Sequence, residues 1–198
     1  MPVRVSESSV DEAFSELWSG DRIQSAGGIR CTIGSTGYYN GSSAIVTCGH
    51  GLSLNQTLYY NDSRIGEVRF HRFLDDAYGD YSIVPLSNTE HSIVNKSFGP
   101  SESSSNPIRV TGYSAEPPRG VSVFAYGQHN GWSIAKVIDS DVTVNVSVLG
   151  QVTTIKGLTV LKTSSGRVGH GDSGGPVYIY NGNGYSVCGI ISSRSVSH

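Results

Sequence analysis

The feature that most constrains this chain is the length of its apolar runs. Val, Ile, Leu, Tyr and Phe gather in short stretches, each closed by Gly, Asn, Asp or Ser. Runs of that length with turn residues between them read as β-strands, because each buries one face and must then reverse. The expected strands before residue 97 cover 29–33, 43–47, 57–60, 66–70 and 81–86, with a turn over 37–41 between the first two. After a Ser-rich stretch at 97–106, which has the composition of a linker, come 108–113, 121–126, 132–138, 142–149, 151–155, 158–161, 177–180 and 187–192. Twenty-five glycines and a charged fraction of only 15% agree with strands and turns rather than surface helices. An all-β protein in two halves is expected, and closed or nearly closed barrels would leave few strand edges exposed.

One stretch departs from this pattern. Ser9-Val10-Asp11-Glu12 forms a capping box, and Val10, Phe14, Leu17 and Trp18 follow at helical spacing, with Gly20 as a stop. A short N-terminal helix is expected there, either packed on the body or left from a pro-segment.

Charge and cysteine usage narrow the functions. Lys and Arg total 14 against 16 Asp and Glu, a net charge of -2. No basic field for nucleic acid and no polybasic membrane patch follows from that balance. No apolar run is long enough to span a bilayer as a helix. Cys31, Cys48 and Cys188 match no metal-ligand spacing, so no metal or other cofactor is implied.

The chemistry concentrates in Gly169-His170-Gly171-Asp172-Ser173-Gly174-Gly175-Pro176. A serine among glycines, followed by a strand, reads as a nucleophile loop, because residues lacking Cβ let a substrate carbonyl approach main-chain N–H groups. A serine nucleophile needs a base and an acid to orient it. Among the six histidines, His50 is set at the end of an apolar strand between Gly49 and Gly51. The others fall in polar loops, beside Ser173 or at the terminus. Asp80 opens the apolar run of Gly79-Asp80-Tyr81-Ser82-Ile83-Val84-Pro85, whereas Asp75 and Asp76 sit in an apparent loop.

Thr47-Cys48-Gly49-His50, Gly79-Asp80-Tyr81-Ser82-Ile83-Val84 and Gly171-Asp172-Ser173-Gly174-Gly175-Pro176, in that order, resemble the chymotrypsin-like serine peptidases. The secreted bacterial branch of streptogrisin and α-lytic type is the most similar. Ser19-Gly20-Asp21-Arg22-Ile23, Arg30-Cys31-Thr32-Ile33-Gly34 and Gly189-Ile190-Ile191-Ser192 extend the resemblance over roughly residues 19–193. It implies two perpendicular, antiparallel six-stranded β-barrels with the active site in the cleft between them. The expected organisation is a helical extension over 1–19, a first barrel over 20–100 carrying His50 and Asp80, and a second over 101–198 carrying Ser173.

By the same resemblance the chain is an extracellular, monomeric serine endopeptidase acting on proteins or peptides through an acyl-enzyme. Ser173 attacks, His50 shuttles the proton, and Asp80 orients His50. Gly171 and Ser173 hold the oxyanion. Ser192, Ser193 and Arg194 pair with the substrate main chain. In the family the carboxylate matching Asp172 has a cationic partner, for which Arg119 and Arg167 are the candidates.

Other expectations stay open at the level of sequence. His170 and Arg194 could favour an acidic side chain at the cleavage site, against a small or apolar pocket. The family's cysteine after the histidine is Gly51 here, leaving Cys31 and Cys48 to pair or not. The family continues past the substrate strand into another strand and a helix, whereas this sequence ends at His198. Either it is cut short there, or the N-terminal helix covers the surface which that helix would cover. Two other functions compete: a catalytically silent or latent module of the same fold acting as a binding protein, and a serine esterase of another fold. The second fits poorly, because β-type residues follow Ser173.

Overall fold

The computed structural model describes residues 15–87, 90–100, 107–148 and 150–193. Seventeen strands make up the regular structure, and no helix occurs among the described residues. In the first half they are β1 (Ser15–Ser19), β2 (Arg22–Ser25), β3 (Arg30–Thr32), β4 (Ser35–Tyr39), β5 (Ser42–Thr47), β6 (Thr57–Tyr60), β7 (Ser63–Glu67), β8 (Phe70–Arg72), β9 (Ala77–Tyr78), β10 (Tyr81–Pro85) and β11 (His91–Ser97). The second half holds β12 (Ile108–Tyr113), β13 (Ser122–Gly127), β14 (Gly131–Val148), β15 (Gln151–Ser165), β16 (Pro176–Tyr180) and β17 (Tyr185–Ile190).

Hydrogen bonding groups them into one nine-stranded sheet, β1-β11-β12-β17-β16-β13-β14-β15-β9, and two four-stranded sheets, β4-β5-β10-β8 and β3-β2-β6-β7. The expected grouping of two antiparallel sets of six is therefore not the one found, and three pairings, β1–β11, β12–β17 and β9–β15, are parallel. The two smaller sheets meet where Gly66 of β7 bridges Leu86 just past β10.

Alternation along the strands builds two cores. One gathers Leu17, Ile23, Cys31, Ile33, Ile45, Cys48, Leu58, Ile65, Val68 and Val84 from β1 to β10. The other gathers Val123, Ala125, Ala135, Val137, Val177 and Ile191. At roughly 25 cal/mol per Å² of apolar surface removed from water, such clusters supply the main driving force for folding.

The expected N-terminal helix is corrected where it can be seen. Residues 15–19 form β1, which pairs in parallel with β11. Leu17 is buried in the first core while Trp18 points the other way, tilted against the Phe98 ring with the Lys96 ammonium 5.4 Å from its centroid. Helical spacing would have put Leu17 and Trp18 on one face; pairing with β11 sends them to opposite faces, so tertiary contacts override local pattern. The rest of the expected helix, residues 1–14, lies outside the described residues.

The second half also differs in detail. The expected strands at 132–138 and 142–149 are one strand, β14, whose bulges around Asp139 to Val144 absorb the polar Asp139-Ser140-Asp141. Asp141 takes a left-handed φ of 53° within this bulged segment. Likewise 151–155 and 158–161 belong to the single strand β15. The long β14–β15 hairpin reaches the first half: Ile155 and Lys156 pair with Ala77 and Tyr78, and Lys156 forms an ion pair with Asp76.

Candidate active site

Strand register explains why His50 and Asp80 meet. Thr47, the last residue of β5, lies opposite Ser82 of β10 in an antiparallel pair. The residues just after β5 and just before β10 therefore leave the sheet at the same end. Asp80 turns its buried carboxylate into the 48–50 loop, where one oxygen accepts the Gly49 and His50 amides, each at 2.8 Å. The other oxygen lies 2.6 Å from His50 Nδ1 and also accepts the Ser192 hydroxyl. Phe73 stands edge-on to the imidazole, with centroids 5.9 Å apart.

Ser173 reaches this pair from the loop between β15 and β16. Its Oγ is 2.9 Å from His50 Nε2 and 3.3 Å from the Ser192 carbonyl. Thr32, at the end of β3, fastens the loop to the first half: its amide donates to the Ser173 carbonyl at 2.8 Å, and its hydroxyl to the Gly171 carbonyl at 2.9 Å. Gly171 has φ +93°, a conformation that a residue with Cβ adopts only under strain. Among the described residues, the Gly171 and Ser173 amides donate no hydrogen bond.

Electrostatics within the chain His50–Asp80 favour charge on both groups. Burial alone would lower the His50 pKa; the hydrogen bond and charge of Asp80 outweigh it and hold the imidazole above its ordinary 6.5. Burial would raise Asp80, but the His50 contact, the Ser192 hydroxyl and the His50 amide together keep its carboxyl below 3.8.

Asp172, next to the serine, is 1% exposed. Its carboxylate accepts the His129 amide at 2.9 Å, the Asn130 amide at 3.0 Å, the Gly169 amide at 2.8 Å and the Asn130 side-chain amide at 2.6 Å. Neither Arg119 nor Arg167 pairs with it: among the described residues the ion pairs are His50–Asp80, Arg64–Glu67, Arg69–Glu67, Lys96–Glu16 and Lys156–Asp76.

Of the residues expected to contact substrate, Ser192 is half-buried against Asp80 and Ser173, and His170 and Ser193 are exposed. Arg194 lies outside the described residues. His71 and His91, read from sequence as loop residues, lie in β8 and β11, where they contact the Ser82 and Ser63 hydroxyls. Cys31 and Cys48 are both thiols, buried with their sulfurs 3.3 Å apart. Sequence reasoning missed Thr32, Phe73 and Asn130. Only Thr32 carried a signal, its place inside the Arg30-Cys31-Thr32-Ile33-Gly34 motif.

No protein-family model and no curated protein matches the sequence. Solved structures do. Protease A of Thermobifida fusca aligns with a TM-score of 0.72 at 22% identity, over 90% of this chain and 84% of that one. The chymotrypsin of Cellulomonas bogoriensis gives 0.70 at 22%, over 92% and 86%. A serine protease described as specific for glutamic acid, with a histidine triad in substrate binding, gives 0.70 at 23%, over 90% and 86%. The three-sheet, two-core arrangement described above is thus the fold of the bacterial chymotrypsin-like serine proteases.

Proposed function

We propose that the chain is a serine endopeptidase that works through an acyl-enzyme. The observation that carries this reading is the unbroken relay from the buried Asp80 carboxylate through both nitrogens of His50 to Ser173 Oγ, at 2.6 and 2.9 Å. With Nδ1–H donating to Asp80, Nε2 is free to accept the Ser173 proton as Oγ attacks a peptide carbonyl. The imidazolium that forms is stabilised by the adjacent carboxylate. It then returns the proton to the departing amine, and water repeats the sequence to release the acyl group. The Gly171 and Ser173 amides, having no partner among the described residues, face the oxyanion; one such donor is worth about 3 kcal/mol in the transition state. The segment at Ser192 and Ser193, beside Ser173, is where the substrate backbone adds as a strand. The partner is a protein or peptide substrate met outside the cell.

A preference for acidic side chains at the cleavage site rests on His170 beside Gly171 and on the glutamic-acid-specific neighbour. Peptides differing only in Glu, Leu, Ala or Lys at that position test it; faster cleavage after Leu than after Glu ends that part of the reading. For the activity itself, the measurement is labelling by a fluorophosphonate probe. Wild-type protein labels and Ser173→Ala does not. A folded wild type that stays unlabelled would point instead to a silent binding module.

A further inference from the structure

The nucleophile loop carries a second buried carboxylate, Asp172, which touches neither His50 nor Asp80 and so has no part in the proton relay. Its surroundings are unusual in what they lack. A carboxylate taken out of water is costly unless its lone pairs are filled, and a cation is the usual means. Here no ion pair reaches it among the described residues, and four N–H groups fill the site instead. Three of the four come from two residues, His129 and Asn130, in the turn that joins β13 to β14.

That turn is shaped around the carboxylate. Gly127 and Gly131 are paired at its base, leaving Gln128, His129 and Asn130 at the tip. A Cβ on Gly127 would fall on the Asp172 carboxyl group. The missing side chain is what lets the hairpin close over Asp172, and successive main-chain N–H groups then form a small anion-binding concavity. Of the groups in it, only the Asn130 side chain is set by the sequence rather than by the backbone, and its contact is the shortest of the four at 2.6 Å. Gln128, on the same tip, is exposed, and its side chain makes no hydrogen bond among the described residues.

The consequence lies one residue away on either side. Asp172 is flanked by Gly171 and Ser173, whose amides must both point at one oxygen for an oxyanion to be held. The Ser173 N–H lies in the peptide plane next to Asp172 and the Gly171 N–H one plane further back, so anchoring the carboxylate restricts the φ and ψ of Asp172 and Gly171 through which both must move. We propose that Asn130 is a positioning residue. In the reading of this chain as a serine endopeptidase, on which the inference rests, it holds the Gly171–Ser173 amides in the oxyanion-binding arrangement and fills, as a neutral amide, the place of a cation beside Asp172. The β13–β14 hairpin of its own half then orders the nucleophile loop from the Asp172 side, as Thr32 does from the first half.

The test compares wild-type protein with Asn130→Ala, Asn130→Asp and, as a control, Gln128→Ala. Three quantities are read: kcat and KM on a peptide substrate, the rate of fluorophosphonate labelling, and amide hydrogen exchange over residues 167–175. Asn130→Ala lowers kcat and the labelling rate roughly 30- to 100-fold, the scale of a misplaced catalytic geometry, with KM changed less than about threefold. Exchange over 167–175 rises. Asn130→Asp, the same shape with a like charge in place of the donor, loses at least as much, and Gln128→Ala matches wild type. If Asn130→Ala fails to fold, Asn130→Ser keeps a donor of shorter reach and falls between it and wild type. A kcat within about twofold of wild type together with unchanged exchange overturns the proposal. A wild type that does not label sinks the peptidase reading instead, and exchange in Asn130→Ala still reports whether the side chain orders the loop.

Discussion

Asp80 and Asp172, both buried, flank the candidate site, and each accepts four hydrogen bonds. Asp80 takes two amides, an imidazole N–H and a hydroxyl. Asp172 takes three main-chain amides and one side-chain amide. The two satisfy the same rule, that buried charge is tolerated when its lone pairs are filled. They differ in whether a partner can change its charge. Among the described residues, Asp80 accepts a hydrogen bond from a titratable side chain and Asp172 does not, so Asp80 is the one placed to respond to a proton arriving on its partner. Asp172 is held by groups that do not titrate, and it can only fix shape. The same side chain thus serves as an electrostatic partner on one half and as an anchor on the other.

Substituting each carboxylate tests that division, and the largest effect belongs to the relay. Asp80→Asn keeps the shape but no longer favours the Nδ1–H tautomer of His50; kcat should fall about 10⁴-fold on a peptide substrate, and Ser173→Ala or His50→Ala by about 10⁶-fold. Thermal midpoints of all three should change far less than these rates. If Asp80→Asn retained a tenth of the wild-type kcat, the two aspartates would not differ in kind.

Asp172→Ala should act the other way, on stability first. Removing the carboxylate leaves four N–H donors of a partly buried site without their partner. A loss of at least about 3 kcal/mol is expected in urea unfolding, with activity lost alongside. Gly127→Ala approaches the same defect from the hairpin side, since its methyl group would collide with the Asp172 carboxyl. It should be destabilising by about 1–3 kcal/mol, the range for overpacking. An unchanged urea midpoint in Gly127→Ala would show that the hairpin does not hold the carboxylate as tightly as the geometry states.

The two aspartates were not equally legible in the sequence. His50, Asp80 and Ser173 each stand in a short glycine-containing motif, and the order of those motifs resembles the chymotrypsin-like peptidases; the register that brings His50 and Asp80 together is visible only in the β5–β10 pairing. The hairpin that closes over Asp172 had no such mark. Asn130 is one polar residue in a turn, and its partner lies 42 residues further on, so the contact exists only after β13, β14 and β16 have paired. The same limit explains β1 and β11. Leu17 and Trp18 satisfy a helical period as well as a strand's, and His91-Ser92-Ile93-Val94-Asn95-Lys96-Ser97 has too few apolar residues to stand out. What decides both is that they pair with each other. The merging of two expected strands into β14 is a further case, because a polar bulge and a turn have the same composition.

The smallest expected effect is also the sharpest test of the comparison. His50 must be neutral to accept the Ser173 proton, and Asp80 holds its pKa above the ordinary 6.5. The rising limb of kcat/KM against pH should therefore have its midpoint above 6.5. Stability runs with the opposite sign on that side. A histidine whose folded pKa is raised contributes stability that is full below 6.5 and is lost as pH climbs through the raised value. Asp80, whose folded pKa is lowered, contributes stability that is full above 3.8 and is lost as pH falls through the lowered one. The pair is thus most stabilising between those two ordinary values, while the activity proposed above should begin where that stabilisation starts to fade. Asp80→Asn should move the limb down towards or below 6.5. Asn130→Ala should lower the whole profile and leave its midpoint in place, because Asn130 carries no charge and, among the described residues, its side chain hydrogen-bonds Asp172 and not His50 or Asp80. A midpoint that shifted in Asn130→Ala would mean that the anchor and the relay are electrically coupled, and the distinction between the two carboxylates would not stand.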